Sequence, residues 1–399
     1  MERCVLKVGR SLTIPNIERL TRLARKTDDP FIQLPLQPRH RAAGGEASYI
    51  QFLLAWSVTR AQPALQFWKK GEQAVADHDK LIQEPHGIIA SVLAESYHDS
   101  DGLALDTDVL RGHAISRLDQ LYGATPESHM KGPAWATLCA DDLNRSAPQL
   151  LYSGQSEGDP VLRNQVAYAT VVDSILTKTF PVHGTHARRT LQQFHRDDVD
   201  TIGAILYEIF RNTDDHGLFT IDGSRIPKSV RGIYAQNIAG EPAKLAELVG
   251  EYTPLADYCR RLPIYDKAGQ EGKQTNLLEI STFDAGSGFA ETFRRKPIAG
   301  MTHDEELEAV QTCFGKNQTS KGRSGFGQGL YRVLRLLKQK NGFLRLRTGR
   351  LSLWLDLAAS QWNDADEKIP DLNVWTTDEP LALARGTVVS IFVPLRVRA

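Results

Sequence analysis

Three short segments in the second half of the chain carry side chains suited to binding and cleaving a phosphate-containing ligand. The first is EIFRNTDDHG (208–217), at the end of a helix predicted to begin near Val199. At about 100° per residue, Glu208, Asn212 and Asp215 occupy positions i, i+4 and i+7 and share one stripe. Taken alone, the segment fits a solvated helix face equally well. However, acidic groups at a helix C-terminus oppose the macrodipole, by about 0.3 to 1 kcal/mol each, which indicates another use.

The second segment is LLEISTFDAGSGF (277–289), an apolar strand that runs into a D-x-G-x-G pattern. Asp284, at the predicted strand end, can accept a hydrogen bond from a ligand amine. Gly286 and Gly288 let the backbone and a ligand come close to each other. On its own the pattern is also compatible with a simple turn.

The third segment is GFGQGL (325–330), which precedes a helix predicted over 331–340 and follows a lid-like stretch with two lysines, Lys316 and Lys321. Glycines at a helix entry free backbone N–H groups to face an anion, and the helix dipole adds positive potential there. The segment therefore suits phosphate, although a flexible loop is the alternative for this motif alone.

The order of these segments, followed by GTVVSIFVPL (386–395), resembles the GHKL or Bergerat-fold ATPases. That group includes DNA gyrase-type topoisomerases, the ninety-kilodalton heat-shock chaperones, sensor histidine kinases and mismatch-repair ATPases. The resemblance covers about residues 190–399, and the sequence contains no Walker A loop to explain phosphate binding in another way. It implies a two-layer α/β sandwich, with a mixed sheet covered by helices on one face, that binds ATP and Mg²⁺.

The resemblance also implies a role for individual side chains. Asn212 would hold Mg²⁺, and Glu208 would orient or activate the attacking water. Asp284 would accept from the adenine amino group, Thr387 would support that contact, and Asp215 would line the nucleotide cleft.

The remaining family positions are backbone donors, small residues and cations around the ligand. Gly286 and Gly288 would leave room near the nucleotide, and one of the two lid lysines would reach the γ-phosphate. The residues that would surround the phosphates are Lys316, Lys321, Gly325, Gly327, Gly329 and Leu330. His216 fits a structural role at the helix end and a role at the nucleotide edge about equally well.

Periodicity predicts the elements that position these residues. A small N-terminal α/β domain (1–125) has predicted strands at 3–8, 31–36 and 64–68 and helices at 15–26 and 47–60. A Pro- and Gly-rich connector (126–185) contains predicted helices at 133–145 and 163–180. The ATP-binding domain (186–399) follows, and the list of its predicted elements is helices at 187–196 and 199–214 and strands at 228–236, 277–283, 343–348, 351–355 and 387–394. An insertion is expected within 238–272.

Composition limits the classes of partner. The 399 residues carry 48 Lys+Arg and 48 Asp+Glu, so a whole-protein basic field for nucleic acid is excluded, while a local patch stays open. No apolar run approaches the roughly 18 to 20 residues that cross a bilayer, and no signal peptide is evident, so a cytoplasmic location is expected. The four cysteines are far apart and are expected to be reduced thiols.

The favoured function is a Mg²⁺-dependent ATPase switch that acts on a partner protein, with the N-terminal region as sensor or coupling module. The alternatives are a protein kinase of the anti-sigma or histidine-kinase type and a nucleotide-gated binding module without turnover. His195 lies too close to Asn212 to sit on a separate phospho-acceptor stalk, so a role in capping or packing its helix is favoured. The layout is typical of bacterial proteins, and a homodimer stays open.

The N-terminal domain shows no catalytic cluster in its sequence. His78, His86 and His98 are too loosely spaced to share a helix face, so they are interpreted as surface or core residues rather than metal ligands. Trp56 and Trp68 are expected in the core.

Overall fold

The computed structural model shows a mixed α/β protein with one parallel and one antiparallel sheet. It describes residues 4–395 apart from 29, 61, 131, 142–146, 157–158, 181–191, 193, 227, 267–272, 316–328, 364–365 and 367–368. The N-terminal part and the C-terminal part each contain one of the two larger sheets.

The N-terminal unit is built on a four-stranded parallel sheet in the order β1-β3-β5-β6. Its strands, with a small β2–β4 pair beside them, are β1 (Val5–Lys7), β2 (Ser11–Leu12), β3 (Phe31–Gln33), β4 (His40–Arg41), β5 (Ala64–Gln66) and β6 (Ser96–His98). Its helices are α1 (Ile14–Lys26), α2 (Gly45–Thr59), α3 (Gly71–Leu81), α4 (Pro85–Leu93) and α5 (Thr107–Gln120). The three predicted strands and two predicted helices of this unit are all present.

The C-terminal unit is built on a larger sheet in the order β15-β14-β13-β16-β12-β10-β7, with β11 paired to β12 at one end. The strands of this part are β7 (Trp135–Ala140), β8 (Tyr152–Ser156), β9 (Asp159–Leu162), β10 (Val230–Gly240), β11 (Tyr265–Asp266), β12 (Lys273–Asp284), β13 (Phe343–Thr348), β14 (Leu351–Asp356), β15 (Asn373–Val374) and β16 (Thr387–Leu395). Its helices are α6 (Tyr168–Thr179), α7 (Arg196–His216), α8 (Pro242–Val249), α9 (Thr253–Arg260), α10 (Phe289–Arg294), α11 (His303–Cys313) and α12 (Gly329–Gln339). The five strands predicted for this domain are present.

The large sheet is antiparallel at each described strand pair, which corrects the prediction of a mixed sheet. The strands β12 and β13 do run parallel to each other, because α10, α11 and α12 form a crossover between them. However, β16 inserts between the two and pairs antiparallel with both. The last strand of the chain therefore converts a parallel crossover into two antiparallel ladders.

Helices cover both faces of the large sheet, whereas one covered face was predicted. One face packs against α6 and α7, and α12 packs in turn on α7. The other face packs against α2, which contacts β10, β12 and β16. Residues 42–56 are all buried, and the sequence of α2 is mainly apolar without a separate polar face. A helix without a polar face needs neighbours on all sides, and the large sheet supplies one of them.

The predicted connector contributes structure to the C-terminal unit. The helix predicted over 133–145 is wrong, because β7 occupies this segment and pairs with β10 at the sheet edge. The helix predicted over 163–180 is confirmed as α6, which packs on α7. The predicted insertion contains α8 and α9, which pack on each other. The predicted helix over 187–196 lies mainly outside the described residues.

Buried charged groups lie between α1 and the large sheet. The Arg347 guanidinium makes a two-pronged contact with Glu18, Nε to Oε1 at 2.7 Å and Nη2 to Oε2 at 3.1 Å. Arg345 is also buried, lies 4.0 Å from the same carboxylate and stacks 5.6 Å from the Tyr252 ring centre. Glu18 therefore balances the charge of two buried guanidinium groups.

Several smaller predictions can be compared with the structure. The four cysteines are free thiols, and Trp56 lies in the core as expected. Trp68 does not, because 41% of it is exposed while its indole N–H donates to the Leu34 carbonyl at 2.7 Å. Among the described helices, none combines the length and apolar character that crossing a membrane requires.

Candidate functional site

The helix α7 forms the wall of the candidate site. Asp197 and Asp198 in its first turn favour helix initiation, and the Gly217 N–H closes its end on the Thr213 carbonyl at 2.8 Å. Its buried apolar residues include Val199, Ile202, Ile205, Leu206 and Ile209. The predicted helix over 199–214 is thus confirmed, with Glu208, Asn212 and Asp215 all within it.

The end of α7 meets the end of β12 at Asp284. Gly217 lies so close that a Cβ on it would be 2.6 Å from the Asp284 Cβ, and a Cβ on Gly286 would be 2.8 Å from the His216 carbonyl oxygen. The Gly286 N–H donates to Asp284 Oδ1 at 2.8 Å. The D-x-G-x-G segment therefore wraps the helix end and aims a buried carboxylate into this corner.

Thr387 completes the same corner from the neighbouring strand. It lies opposite Asp284 in one ladder and opposite Thr348 in the other, and the two threonine hydroxyls are 3.4 Å apart. The Phe289 N–H donates to the Thr348 hydroxyl at 3.2 Å. Gly288 has φ +84°, and a Cβ there would be 2.6 Å from that same hydroxyl. Asp284 and Thr387, predicted to act together, are thus adjacent.

Burial sets the charge state of Asp284. Loss of hydration raises the pKa of its carboxyl from 3.8 to about 6, although backbone N–H groups of Gly286 and Thr387 and the nearby Arg385 favour the ionised form. Arg385 lies against this corner, with its Nε donating to the Ala285 carbonyl at 3.0 Å. Near neutral pH, Asp284 is therefore an ionised acceptor in a poorly hydrated position.

We expect Asp284 to make folding stability fall as pH rises. Because the folded state binds this proton more tightly than the unfolded state, stability is lost between the unfolded pKa of 3.8 and the folded pKa of about 6. Between pH 4.5 and 7.5, wild type should lose about 2 kcal/mol relative to Asp284→Asn. Urea unfolding of both proteins at the two pH values measures this difference. Asp378→Asn, an exposed control, should follow wild type, and a pH-independent difference for Asp284→Asn would contradict the assignment.

The other end of the site is formed by α7 and α12. Glu208 is nearly buried, and its Oε1 accepts from Arg332 Nη1 at 3.3 Å. A Cβ on Gly329, the first residue of α12, would lie 2.8 Å from Glu208 Oε2. The structure therefore brings the predicted catalytic carboxylate to the helix entry that was predicted to face phosphates. Leu330, next along, is buried.

Asn212 lies one turn after Glu208 and carries an unsatisfied amide. Its Nδ2 is buried and has no hydrogen-bond partner among the described residues. A buried amide without a partner is costly unless a ligand or water supplies one. Asp215, a further turn along, lies 3.8 Å from Arg211 and is partly exposed.

The two ends are joined by one element. From Glu208 to Gly217, the residue that follows α7, there are nine residue steps, or about 13 Å along the helix axis. Four predicted site residues, Lys316, Lys321, Gly325 and Gly327, lie outside the described part of the chain.

Gly286 and Gly288 pack closely against other parts of the chain. A Cβ on Gly286 would lie 2.8 Å from the His216 carbonyl oxygen, and a Cβ on Gly288 would lie 2.6 Å from the Thr348 hydroxyl. Their role of leaving room near a nucleotide stays a prediction. His195 stands at the N-cap position of α7, but its side chain makes no capping hydrogen bond, so the capping role is wrong and the packing role stays a prediction.

Sequence reasoning missed several partners at the site. Arg332 contacts Glu208 and also donates to Gln165 Oε1 at 2.6 Å. The sequence contains one indication that Arg332 lies at the site: it follows Gly329 by three residues, and residues at i and i+3 share a helix face. Asp214, which was not chosen, accepts from Tyr152 Oη at 2.6 Å and pairs with buried Arg231, so it is structural.

No family model, curated protein or solved structure matches the chain. The roles of the residues described above therefore depend on their own chemistry and placement.

Proposed function

We propose that the C-terminal unit is a Mg²⁺-dependent ATP-binding and ATP-hydrolysing switch that acts on a partner protein. One observation supports this most strongly: a buried carboxylate, Asp284, lies at one end of α7, and the same helix carries the unsatisfied Asn212 amide and, against the Gly329 helix entry, Glu208. Asp284 can accept a hydrogen bond from the amine of a purine. Glu208, Asn212 and the N-terminus of α12 would surround the phosphates of the same nucleotide.

The residues present fit a magnesium ion. Mg²⁺ prefers oxygen ligands and keeps several waters, so a single amide oxygen together with phosphate oxygens is a suitable donor set. Asn212 would supply that oxygen, and its buried Nδ2 would then gain a hydrated or phosphate partner. When bound, the metal would neutralise charge on the phosphates.

Glu208 is the residue that would act on water. In the proposed step its carboxylate orients, and takes a proton from, the water that attacks the γ-phosphorus, while the bond to the β,γ-bridging oxygen breaks and leaves ADP and phosphate. Arg332, which holds Glu208 Oε1, fixes the direction of the carboxylate. The start of α12 offers backbone N–H groups to the phosphates.

Coupling to the N-terminal unit would run along β12. Glu279, five residues before Asp284 on this strand, is fully buried and accepts from the Gly44 N–H at the start of α2 at 2.9 Å. Because alternate residues of a strand face opposite sides, β12 presents Asp284 to the site and Glu279 to α2. A change in strand position caused by ligand at Asp284 would therefore reach the N-terminal unit directly.

ATP titration with and without Mg²⁺ tests the proposal. Wild type should bind ATP more tightly with Mg²⁺ and prefer it to GTP, because guanine presents a carbonyl oxygen where adenine presents an amine. Asp284→Asn should weaken ATP binding by about 10- to 100-fold, corresponding to loss of a charge-assisted hydrogen bond of about 1.5 to 3 kcal/mol, and should reduce the ATP preference. Asn212→Ala should remove the Mg²⁺ effect.

Asp378→Asn is the matched control and should bind ATP like wild type. The proposal would be contradicted if wild type did not bind adenine nucleotides, or if Asp284→Asn bound ATP with wild-type affinity. With labelled ATP and a cell lysate, label on protein would favour the kinase alternative, whereas free phosphate supports hydrolysis. Binding without turnover would favour the nucleotide-gated module.

A further inference from the structure

A second cluster of chemistry-bearing side chains lies in the N-terminal unit, away from α7 and β12. In the described part of the chain, His78, Asp79 and His113 form a group whose donor atoms all lie within 4.8 Å of one another. His113 Nδ1 is 3.0 Å from Asp79 Oδ1, and His78 Nδ1 is 3.9 Å from the same oxygen. The first two residues lie on α3, and His113 lies on α5.

His78 has an unusual environment for a histidine. Its side chain is fully buried, and both ring nitrogens lack a hydrogen-bond partner among the described residues. The rings of Phe67 and Tyr97 meet it edge-on at 5.8 and 5.7 Å between centres. Buried polar groups in native proteins are normally satisfied, so this imidazole calls for a partner that the protein chain does not supply.

We propose that His78, Asp79 and His113 bind one divalent transition-metal ion of the zinc class, which joins α3 to α5. Two imidazole nitrogens and one carboxylate oxygen are a common donor set for such an ion, whereas Mg²⁺ and Ca²⁺ prefer oxygen donors alone.

The geometry is close to that needed. Ligand bonds of about 2.0 to 2.1 Å in a tetrahedral site place donor atoms about 3.4 Å apart. The 3.0 and 3.9 Å separations bracket this value, and the half-exposed His113 and Asp79 side chains are free to adjust. The same exposure leaves one side open to solvent, so a water molecule can take the fourth position.

The charge state of His78 agrees with this role. Burial lowers the pKa of its imidazole to about 4, so the ring is neutral near pH 7. A neutral imidazole is the form that ligates metals, because no proton has to be displaced from the coordinating nitrogen.

Zinc titration of the full chain tests this inference. After removal of metal with a chelator, calorimetry with Zn²⁺ should show one ion per chain, and Co²⁺ should give the visible absorption of a tetrahedral site. His113→Ala and Asp79→Asn, both at exposed positions, should each lower Zn²⁺ affinity by about tenfold or more. Zn²⁺ should raise the melting temperature of wild type but not that of His113→Ala.

The controls separate this site from others. His129→Ala removes an exposed histidine on a short 3-10 helix and should bind Zn²⁺ as wild type does. Asp284→Asn should also retain Zn²⁺ binding, so failure of the nucleotide site and failure of this site are distinguishable. Wild type without Zn²⁺ binding, or His113→Ala with wild-type affinity, would show that the three residues form only a surface ion pair beside a buried histidine.

Discussion

Replacing Glu208 with glutamine is expected to lower the rate of ATP hydrolysis by about 10²- to 10⁴-fold, the usual contribution of a positioned general base. Glutamine keeps the volume beside Gly329 and can still accept from Arg332 through its carbonyl oxygen, but it cannot take a proton from water. ATP affinity should change by no more than about threefold, because the proposed purine contacts would lie about 13 Å along α7. Phosphate release in steady state, paired with an ATP titration, measures both quantities.

Asp200→Asn is the matched control for this experiment, since Asp200 is an exposed acid on the same helix that pairs with Arg196. It should hydrolyse ATP at the wild-type rate. If Glu208→Gln does so as well, Glu208 has no part in the reaction. If both turnover and ATP affinity fall together, Glu208 is needed to hold the helix entry rather than to act on water.

Truncating Glu18 to alanine is expected to lower the free energy of unfolding by about 3 to 5 kcal/mol. The change leaves Arg347 buried without its carboxylate partner and leaves Arg345 with only the charge of Glu279 nearby. The three guanidinium nitrogens of Arg345 already lack hydrogen-bond partners among the described residues. Burial also lowers the pKa of Arg345, which reflects the cost of charge in this position. Guanidinium chloride unfolding measures the loss.

Glu308→Ala provides the control for Glu18→Ala. Its carboxylate pairs at 2.6 Å with Arg294 on the surface, with 70% of the side chain exposed. This pair should contribute less than about 1 kcal/mol. Adding Arg345→Met to Glu18→Ala should recover part of the lost stability, since it removes one uncompensated charge. Equal effects of Glu18→Ala and Glu308→Ala would show that water reaches the two arginines.

Local sequence patterns were sufficient to predict a helix or strand where one strong periodic signal covered the whole element. The strand predicted over 343–348 is β13 with the same bounds, and α7 was predicted from its apolar stripe and from Gly217 at its end. The prediction from the sequence was wrong at Trp135–Ala140, where a helix was expected and six consecutive buried residues form β7. A short, wholly buried run has no alternation to distinguish a strand from a helix.

In the candidate site, too, relations within one element were predicted and contacts between elements were not. Spacing along one helix placed Glu208, Asn212 and Asp215 together, and the D-x-G-x-G segment identified Asp284, because these relations lie within single elements. Contacts between elements were not visible in the sequence, such as those that Arg332 makes with Glu208 and Thr348 with Thr387. They depend on which strands become neighbours, and β16 reaches its place only by inserting between β12 and β13.

The sequence by itself therefore determined the α/β character of the chain, the helices and strands with a strong periodic pattern and the order of the polar motifs, because periodicity and turn residues act over a few neighbouring positions. Only the tertiary structure decided that the large sheet is antiparallel, that α2 covers its second face and that His113 meets His78 across 35 residues of chain. Such long-range choices follow from the burial of whole helix and sheet faces against each other, and no single segment encodes them.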